Sequence, residues 1–309
     1  MVTKTIRIGT RDSELALWQA HTVQDTLQDL GYDTTLIPVK STGDIVLDKP
    51  LYELGITGIF TKTLDIAMLT NDIDIAVHSM KDVPTALPVG IVESAILERA
   101  NVKDILVHKG LDFLQEEGVI ATGSLRRQAQ WLHKYPDHTV VDLRGNVNTR
   151  MQKLKDSNWN GAIFAAAGLE RINLKPKEYL DLDWMIPAPA QGAMLVVAKE
   201  DDTYCLDALS HLNHRDSEIC VHIERTFLRT LEGGCTAPIG ALAEMQGDQI
   251  SFKGVLFSLD GKEKREVLKT LKIEHIEDKD IEAFGIKCAQ EVLTNGGIEI
   301  MKKIKSDLK

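Results

Sequence analysis

Three short stretches of the chain hold residue types that do chemistry. The first is His78-Ser79-Met80-Lys81-Asp82-Val83-Pro84, which follows an apolar run at 73–77 that reads as a buried strand. A carboxylate beside an ammonium suits acid–base work, and in open α/β sheets ligands bind in the loops beyond the carboxyl ends of the strands. Taken alone, the pair also fits a solvated turn ahead of Pro84. The second is a set of arginines, each near the end of a strand or the start of a helix. Arg126 and Arg127 follow Thr122-Gly123-Ser124, Arg144 lies in Leu143-Arg144-Gly145-Asn146, and Arg150 and Arg171 come after it. Arg11 occupies the equivalent place near the N-terminus. Guanidinium forks match carboxylates and phosphates, and helix N-termini add backbone donors. Cations at a helix start oppose its dipole, so Arg126 and Arg127 are not explained by helix stability. The third is Glu232-Gly233-Gly234-Cys235-Thr236, a cysteine in a glycine loop. It reads either as a small buried hydrophobe or as a reactive thiol, and nothing local fixes a lowered pKa.

These residues need elements to position them. Over the first 200 residues short apolar runs alternate with helical periodicity, the pattern of βα units and a mainly parallel sheet. A strand is expected at 5–8 and a helix from Asp12 or Ser13, with Ala16, Ala20, Val23, Leu27 and Leu30 on its apolar face and Gly31 as its stop. Further strands are expected at 35–39 and 73–77, with a helix at 61–71 between them. The pattern restarts near residue 100, with strands at 104–108, 119–122, 139–143 and 162–166 and helices from Ser124 and Asn148. Pro187-Ala188-Pro189-Ala190-Gln191-Gly192 reads as a crossing segment, followed by a strand at 194–199 and a helix at 217–231. The remainder reads as strands at 238–244, 249–258 and 264–273, with a turn at Asp260-Gly261, then a helix at 280–294, a small antiparallel α+β unit. No internal repeat is visible.

Composition narrows the function classes. The chain has 309 residues, with 36 Lys+Arg against 46 Asp+Glu for a formal net charge of −10. That balance argues against nucleic acid as a partner, since phosphate neutralisation drives such binding. No apolar run reaches the ~18 residues of a membrane span, and the N-terminus lacks a signal-peptide apolar core, so a cytoplasmic address is expected. The four cysteines, Cys205, Cys220, Cys235 and Cys288, form no zinc-spaced set, so no metal is expected. The glycine-rich stretches match neither a Walker A loop nor a dinucleotide fingerprint.

Taken together, the segments resemble the porphobilinogen deaminase (hydroxymethylbilane synthase) family. The resemblance rests on RIGTR at 7–11 with LALWQA at 15–20, AVHSMKDVP at 76–84, SLRRQ at 124–128, LRGN at 143–146 with Arg150, AGLER at 167–171, QGA at 191–193 and GGC at 233–235. It implies two α/β domains similar to type II periplasmic binding proteins plus a small C-terminal α+β domain with a three-stranded antiparallel sheet. The implied boundaries are 1–98 with 194–213, 99–193, and 214–309. The reaction it implies is head-to-tail condensation of four porphobilinogen molecules to hydroxymethylbilane with loss of ammonia. Its dipyrromethane cofactor is expected on Cys235 through a thioether. By match to the family motifs, Asp82 is the catalytic carboxylate, beside the electron-poor azafulvene cation left when ammonia departs. Arg11, Arg126, Arg127, Arg144, Arg150 and Arg171 are expected to hold the acetate and propionate groups, with Ser13, Ser79, Lys81 and Ser124 as further donors. Phe60, Thr122, Asn146 and Gln191 are additional candidates. In the loop Gly55-Ile56-Thr57-Gly58-Ile59-Phe60, Thr57 stands where the family usually has lysine, and residues 42–60 are expected to act as a mobile lid. A monomer is implied, with possible hand-over of product to uroporphyrinogen-III synthase and no membrane or nucleic-acid partner. The acidic total is then expected to describe the outer surface, with a cleft of the opposite sign. Two rival readings are a two-lobed small-anion binding protein without catalysis and a transferase that uses Cys235 transiently.

Overall fold

The computed structural model of the chain describes residues 4–39, 61–231, 237–273 and 276–308. Residues 42–60, including Thr57 and Phe60, and the cofactor candidate Cys235 therefore lie outside the described residues.

The chain begins with β1 (Ile6–Thr10), α1 (Glu14–Asp29), β2 (Thr34–Pro38), α2 (Lys62–Leu69), β3 (Ile75–Ser79) and β4 (Ile91–Ile96). It then crosses into β5 (Asp104–His108), β6 (Val119–Ala121), α3 (Leu125–Lys134), β7 (Thr139–Val141), α4 (Val147–Asp156), β8 (Gly161–Ala165), α5 (Ala166–Arg171) and β9 (Leu180–Asp181). A second crossing leads to β10 (Met194–Lys199), α6 (Thr203–Ser210) and α7 (Arg215–Thr230). Last come β11 (Ile239–Gln246), β12 (Gln249–Phe257), β13 (Lys264–Lys272), α8 (Asp278–Val292) and α9 (Ile298–Asp307).

Two five-stranded sheets have the orders β2-β1-β3-β10-β4 and β7-β6-β8-β5-β9, and a third is the antiparallel meander β11-β12-β13. This is the expected fold class, two α/β lobes and a small α+β unit. One detail differs from a simple parallel reading: β10 runs antiparallel to both neighbours, β3 and β4, and β5 runs antiparallel to both β8 and β9. Each reversed strand is the one that has just crossed from the other lobe, so it enters its sheet from the cleft side. The two lobes thus repeat one strand order, although the sequence shows no repeat, because strand pairing constrains apolar pattern and not residue identity.

Apolar periodicity explains the packing. Ala20, Val23 and Leu27 of α1 are buried against Ile6, Ile8 and Ile75 of the first sheet, and Ala16 is buried on the same helix. Leu30, expected on the same face, is 48% exposed because the helix stops before it. The return segment closes the same core, with Cys205, Ala208 and Leu209 of α6 beside Val196 and Ala198 of β10. Cys205, Cys220 and Cys288 are buried in α6, α7 and α8, and burial pushes each thiol up to about 12, so they are inert filler. The two crossings touch at Gly192, whose φ is +88° and where a Cβ would lie 2.6 Å from the Ala100 carbonyl; only glycine fits there. At the C-terminus the expected helix is α8, and a further helix that was not expected, α9, follows it through Gly296 at φ +97°.

Candidate active-site cleft

A cavity of about 650 Å³ opens between the two lobes, and Leu228 of α7, Ile239 of β11 and Ala237 just ahead of β11 also line it. It is lined by Arg11, Ser13, Ser79, Lys81 and Asp82 from the first lobe. From the second lobe come Ser124, Arg126, Arg127, Arg144, Asn146, Arg150 and Arg171, and Gln191 comes from the second crossing. Of the remaining candidates, Thr122 sits just behind the wall, its hydroxyl accepting from the Ser124 amide at 3.3 Å. Cys235 is outside the described residues, but its sequence neighbours Leu228 and Ala237 both face the cavity.

Three helices begin at this cleft, and each has a polar cap that turns the chain into it. Ser13, Ser124 and Asn146 accept backbone hydrogen bonds from Ala16, Arg127 and Thr149 at 3.4, 3.5 and 2.9 Å. The N-termini of α1, α3 and α4 thereby add their dipoles to a wall already rich in guanidinium. Seven cationic side chains (Arg11, Lys81, Arg126, Arg127, Arg144, Arg150, Arg171) face three acidic ones (Asp12, Glu14, Asp82). A cleft of that sign suits an anionic ligand.

Arg126 and Arg127 also have an internal partner that sequence reasoning missed. Asp104, fully buried at the start of β5, accepts from Arg126 Nη1 at 2.7 Å and from Arg127 Nε and Nη2 at 3.0 and 2.7 Å. Arg126 further donates to the Ile186 carbonyl and Arg127 to that of Ile163. Burial opposes the Asp104 charge, but the two arginines outweigh it and hold the carboxyl at about 2. Gln191 completes the network, its Nε2 donating to Asp104 at 3.1 Å and its Oε1 accepting from Lys81 Nζ at 3.5 Å. The signal available in the sequence was a lone acid at the head of the apolar run Ile105-Leu106-Val107.

Lys81 and Asp82 sit in a 3₁₀ turn, Met80–Asp82, directly after β3. Burial lowers Lys81 to about 8, with Arg127 and Arg126 adding to the effect and Asp82 opposing it. Burial likewise lowers Arg150 to about 10, again against the pull of Asp82. Asp82 is therefore a carboxylate placed among cations of both lobes. Arg171 is brought down to about 10 by burial; it donates to the Gly192 carbonyl at 2.8 Å and lies over the Trp18 ring at 5.5 Å. Arg150 Nε donates to the Gly145 carbonyl at 2.7 Å. Two further polar side chains escaped the sequence reading. Gln19, on the buried face of α1, donates to Ser79 at 3.0 Å. His78 lines the cavity, burial and nearby Arg11 push it down to about 4, and its Nε2 has no hydrogen-bond partner among the described residues. Among those residues no group of three or more His, Cys, Asp or Glu could hold a metal ion.

Comparison with known proteins points in one direction. The model for "Porphobilinogen deaminase, dipyromethane cofactor binding domain" matches residues 6–207, and that for "Porphobilinogen deaminase, C-terminal domain" matches 218–294. The porphobilinogen deaminase of Chloroherpeton thalassium is 40% identical over 98% of this chain and 99% of its own. That of Geotalea uraniireducens is 42% identical over 98% of this chain and 96% of its own. Among solved structures, the periplasmic VFT2 domain of BvgS from Bordetella pertussis aligns with 67% of this chain and 85% of its own, at 12% identity and a TM-score of 0.42.

Proposed function

The chain belongs to the porphobilinogen deaminase family, and from that premise we propose which of its residues carry the reaction. It is a transferase of the hydroxymethylbilane synthase type, which condenses four porphobilinogen molecules into a linear tetrapyrrole with release of ammonia and uses a dipyrromethane cofactor. In our reading Asp82 is the catalytic carboxylate, Cys235 carries the cofactor, and the arginine wall of the second lobe holds the acetate and propionate groups.

The observation that carries this reading is Asp82 in a cationic cleft: of the three acids among its described lining residues, Asp12 and Glu14 lie at the start of α1, where the helix dipole favours them, and Asp82 has no such use. A mere anion binder has use for Arg11, Arg126, Arg127, Arg144, Arg150 and Arg171 but none for a carboxylate among them. A reaction that makes a cation from an anionic substrate has use for both. When ammonia leaves the aminomethyl carbon, positive charge spreads over the pyrrole, and a carboxylate near the pyrrole N–H stabilises it and takes part in proton transfer. Lys81, Ser13, Ser79, Ser124 and Asn146 orient carboxylates around that point, with Thr122 and Gln191 supporting them from behind. The two lobes and the crossing segments enclose the site and limit capture of the cation by water.

The residues present fit the dipyrromethane. The cavity of about 650 Å³ has room for it and for growth, and the guanidinium groups that line it match its acetate and propionate groups. When bound, the cofactor supplies the pyrrole carbon to which the first unit is joined. Leu228 and Ala237 bracket Cys235 in sequence and line the same cavity, which supports attachment there. We assign the domains as 1–98 with 194–213, 99–193 and 214–309, in keeping with the three sheets. We also propose a cytoplasmic monomer that passes its product to uroporphyrinogen-III synthase; no described helix is long and apolar enough to cross a membrane.

Two measurements test the assignment. Intact mass of the purified protein is expected to exceed the sequence mass by two pyrrole units, and Cys235→Ser to lack the excess while remaining folded. An adduct retained in Cys235→Ser would move the attachment site. Asp82→Asn is expected to lower turnover at least ~10²-fold with the adduct still present, the scale of losing a positioned acid–base group. Near-normal turnover would remove Asp82 from the mechanism.

A further inference from the structure

The turn that carries Lys81 and Asp82 is too short to hold itself. It has three residues and one closing hydrogen bond, from the Val83 amide to the Met80 carbonyl at 3.1 Å. Its leading side is tied to the second crossing, where the Met80 amide donates to the Ala193 carbonyl at 3.1 Å. Its trailing side is held from a different part of the molecule. Arg225, on α7 and buried, donates through Nη1 to the Val83 carbonyl at 3.0 Å and to that of Met80 at 3.4 Å, and through Nη2 to the Pro84 carbonyl at 2.7 Å. Its charge is met by Glu93 of β4, with Nη2 and Oε1 3.3 Å apart, and the other Glu93 oxygen lies 3.2 Å from His222 Nε2 one turn earlier on α7. Burial alone would raise the Glu93 carboxyl, yet His222 and Arg225 keep it below the usual range. Arg225 does not line the cavity.

A buried guanidinium is costly unless every donor is used, and this one is directed at three carbonyls on both sides of Asp82. The neighbouring Glu224 does the same for the crossings. It is fully buried, pairs with Arg99 at 2.7 Å and accepts from the Ala190 and Ala243 amides at 2.6 and 2.7 Å. Helix α7 ends at Thr230, and Cys235 follows five residues later in the sequence. One helix therefore leads to the cofactor cysteine and grips the turn that bears the acid. We propose that Arg225 is a positioning residue for the reaction: by clamping the Met80, Val83 and Pro84 carbonyls it fixes where the Asp82 carboxylate stands relative to the bound pyrroles. The inference rests on Asp82 as the catalytic carboxylate.

Arg225→Lys keeps the charge and loses the fork. Measured on holoenzyme whose adduct is verified by mass, it is expected to lower kcat at least ~10-fold with KM for porphobilinogen within about 3-fold, the scale of an ångström-level misplacement. In the Asp82→Asn background the same substitution is expected to change kcat by less than about 2-fold, since residues acting as one unit do not add. A normal kcat in Arg225→Lys beside a crippled Asp82→Asn overturns the role of Arg225 alone. A loss that persists in full in the Asp82→Asn background, or appears only as lowered Tm with unchanged kcat per holoenzyme, shows a structural role and also overturns it. Near-normal turnover of Asp82→Asn itself overturns both readings. Should Arg225→Lys fail to accumulate, Glu93→Gln keeps shape and removes the charge that seats the guanidinium. A several-fold drop in kcat at unchanged KM supports the clamp there, and an unchanged kcat overturns it.

Discussion

The two lobes share one strand order and put different chemistry at equivalent places. After β1 and its counterpart β6, a serine caps a helix that faces the cleft, Ser13 before α1 and Ser124 before α3. The first turn of α1 carries Glu14, in accord with the helix dipole, whereas α3 opens with Arg126 and Arg127 against it. After β3 the first lobe has the turn with Lys81 and Asp82, and after its counterpart β8 the second has α5 ending in Arg171. The register shows what permits the contrast. Met194 opens β10 opposite Ser79, the last residue of β3, and Asp104 opens β5 opposite Ala165, the last residue of β8. One position of the shared topology is thus apolar in the first lobe and a carboxylate in the second. That carboxylate lets two arginines be buried at a helix start. The fold supplies the frame twice, and single residues decide that one lobe offers an acid and the other a cationic wall.

Breaking the contrast at its base has the largest expected effect. Asp104→Asn leaves Arg126 and Arg127 buried without their counter-charge, and about 3–5 kcal/mol of stability is expected to go, read by urea or thermal unfolding. The pH dependence follows from the same pair. Because the folded carboxyl lies at about 2, below its ordinary value of 3.8, its contribution is complete above that ordinary value and disappears as pH falls towards about 2. The wild type should show this acid limb and Asp104→Asn should not. An equal acid limb in both would deny Asp104 the role. A smaller effect is expected where the second lobe meets ligand. Arg171→Lys retains a charge but not the fork, so KM for porphobilinogen should rise ~10-fold with kcat within about 2-fold, the mark of lost uniform binding. A fall in kcat at constant KM would instead place Arg171 with Asp82 in the chemistry.

The smallest effect sharpens the contrast within the first lobe. Burial holds the free Lys81 ammonium at about 8, so it is charged below that pH and neutral above it. A bound carboxylate favours the charged form, and binding above pH 8 then takes up a proton. KM should climb about 5-fold between pH 8 and 9, and Lys81→Met should flatten that rise. The sign for stability runs the other way: the lysine's depressed pKa weakens the fold below about 8, and that penalty fades as pH rises towards its ordinary 10.5. Lys81→Met is accordingly expected to raise Tm at pH 7.

Much of the frame was legible because local patterns carry it. The 3.6-residue recurrence of Ala16, Ala20, Val23 and Leu27 identified α1, the apolar runs at 104–108 and 194–199 coincided with β5 and β10, and polar residues marked the starts of α1, α3 and α4. The residues that line the cleft were legible by type and placement, as arginines and polar caps at strand ends and helix starts. Asp104 and Arg225 were not. Asp104 looked like the first residue of a strand, and Arg225 like one more charge on a helix, because their partners lie 22 and more than 140 residues away. Helix α9 was missed as well; it follows α8 after a glycine at positive φ, where the expected helix had already ended.

By itself the sequence determined most of the elements, the family and the residue types that line the cleft, since periodicity, caps and motifs are local and survive being read in one dimension. Tertiary structure alone decided that Arg126 and Arg127 share one buried carboxylate, that Lys81 loses much of its basicity, and that a helix of the third unit grips the turn bearing Asp82. Those properties come from desolvation and from partners brought together across the fold, and neither exists until the chain has closed on itself.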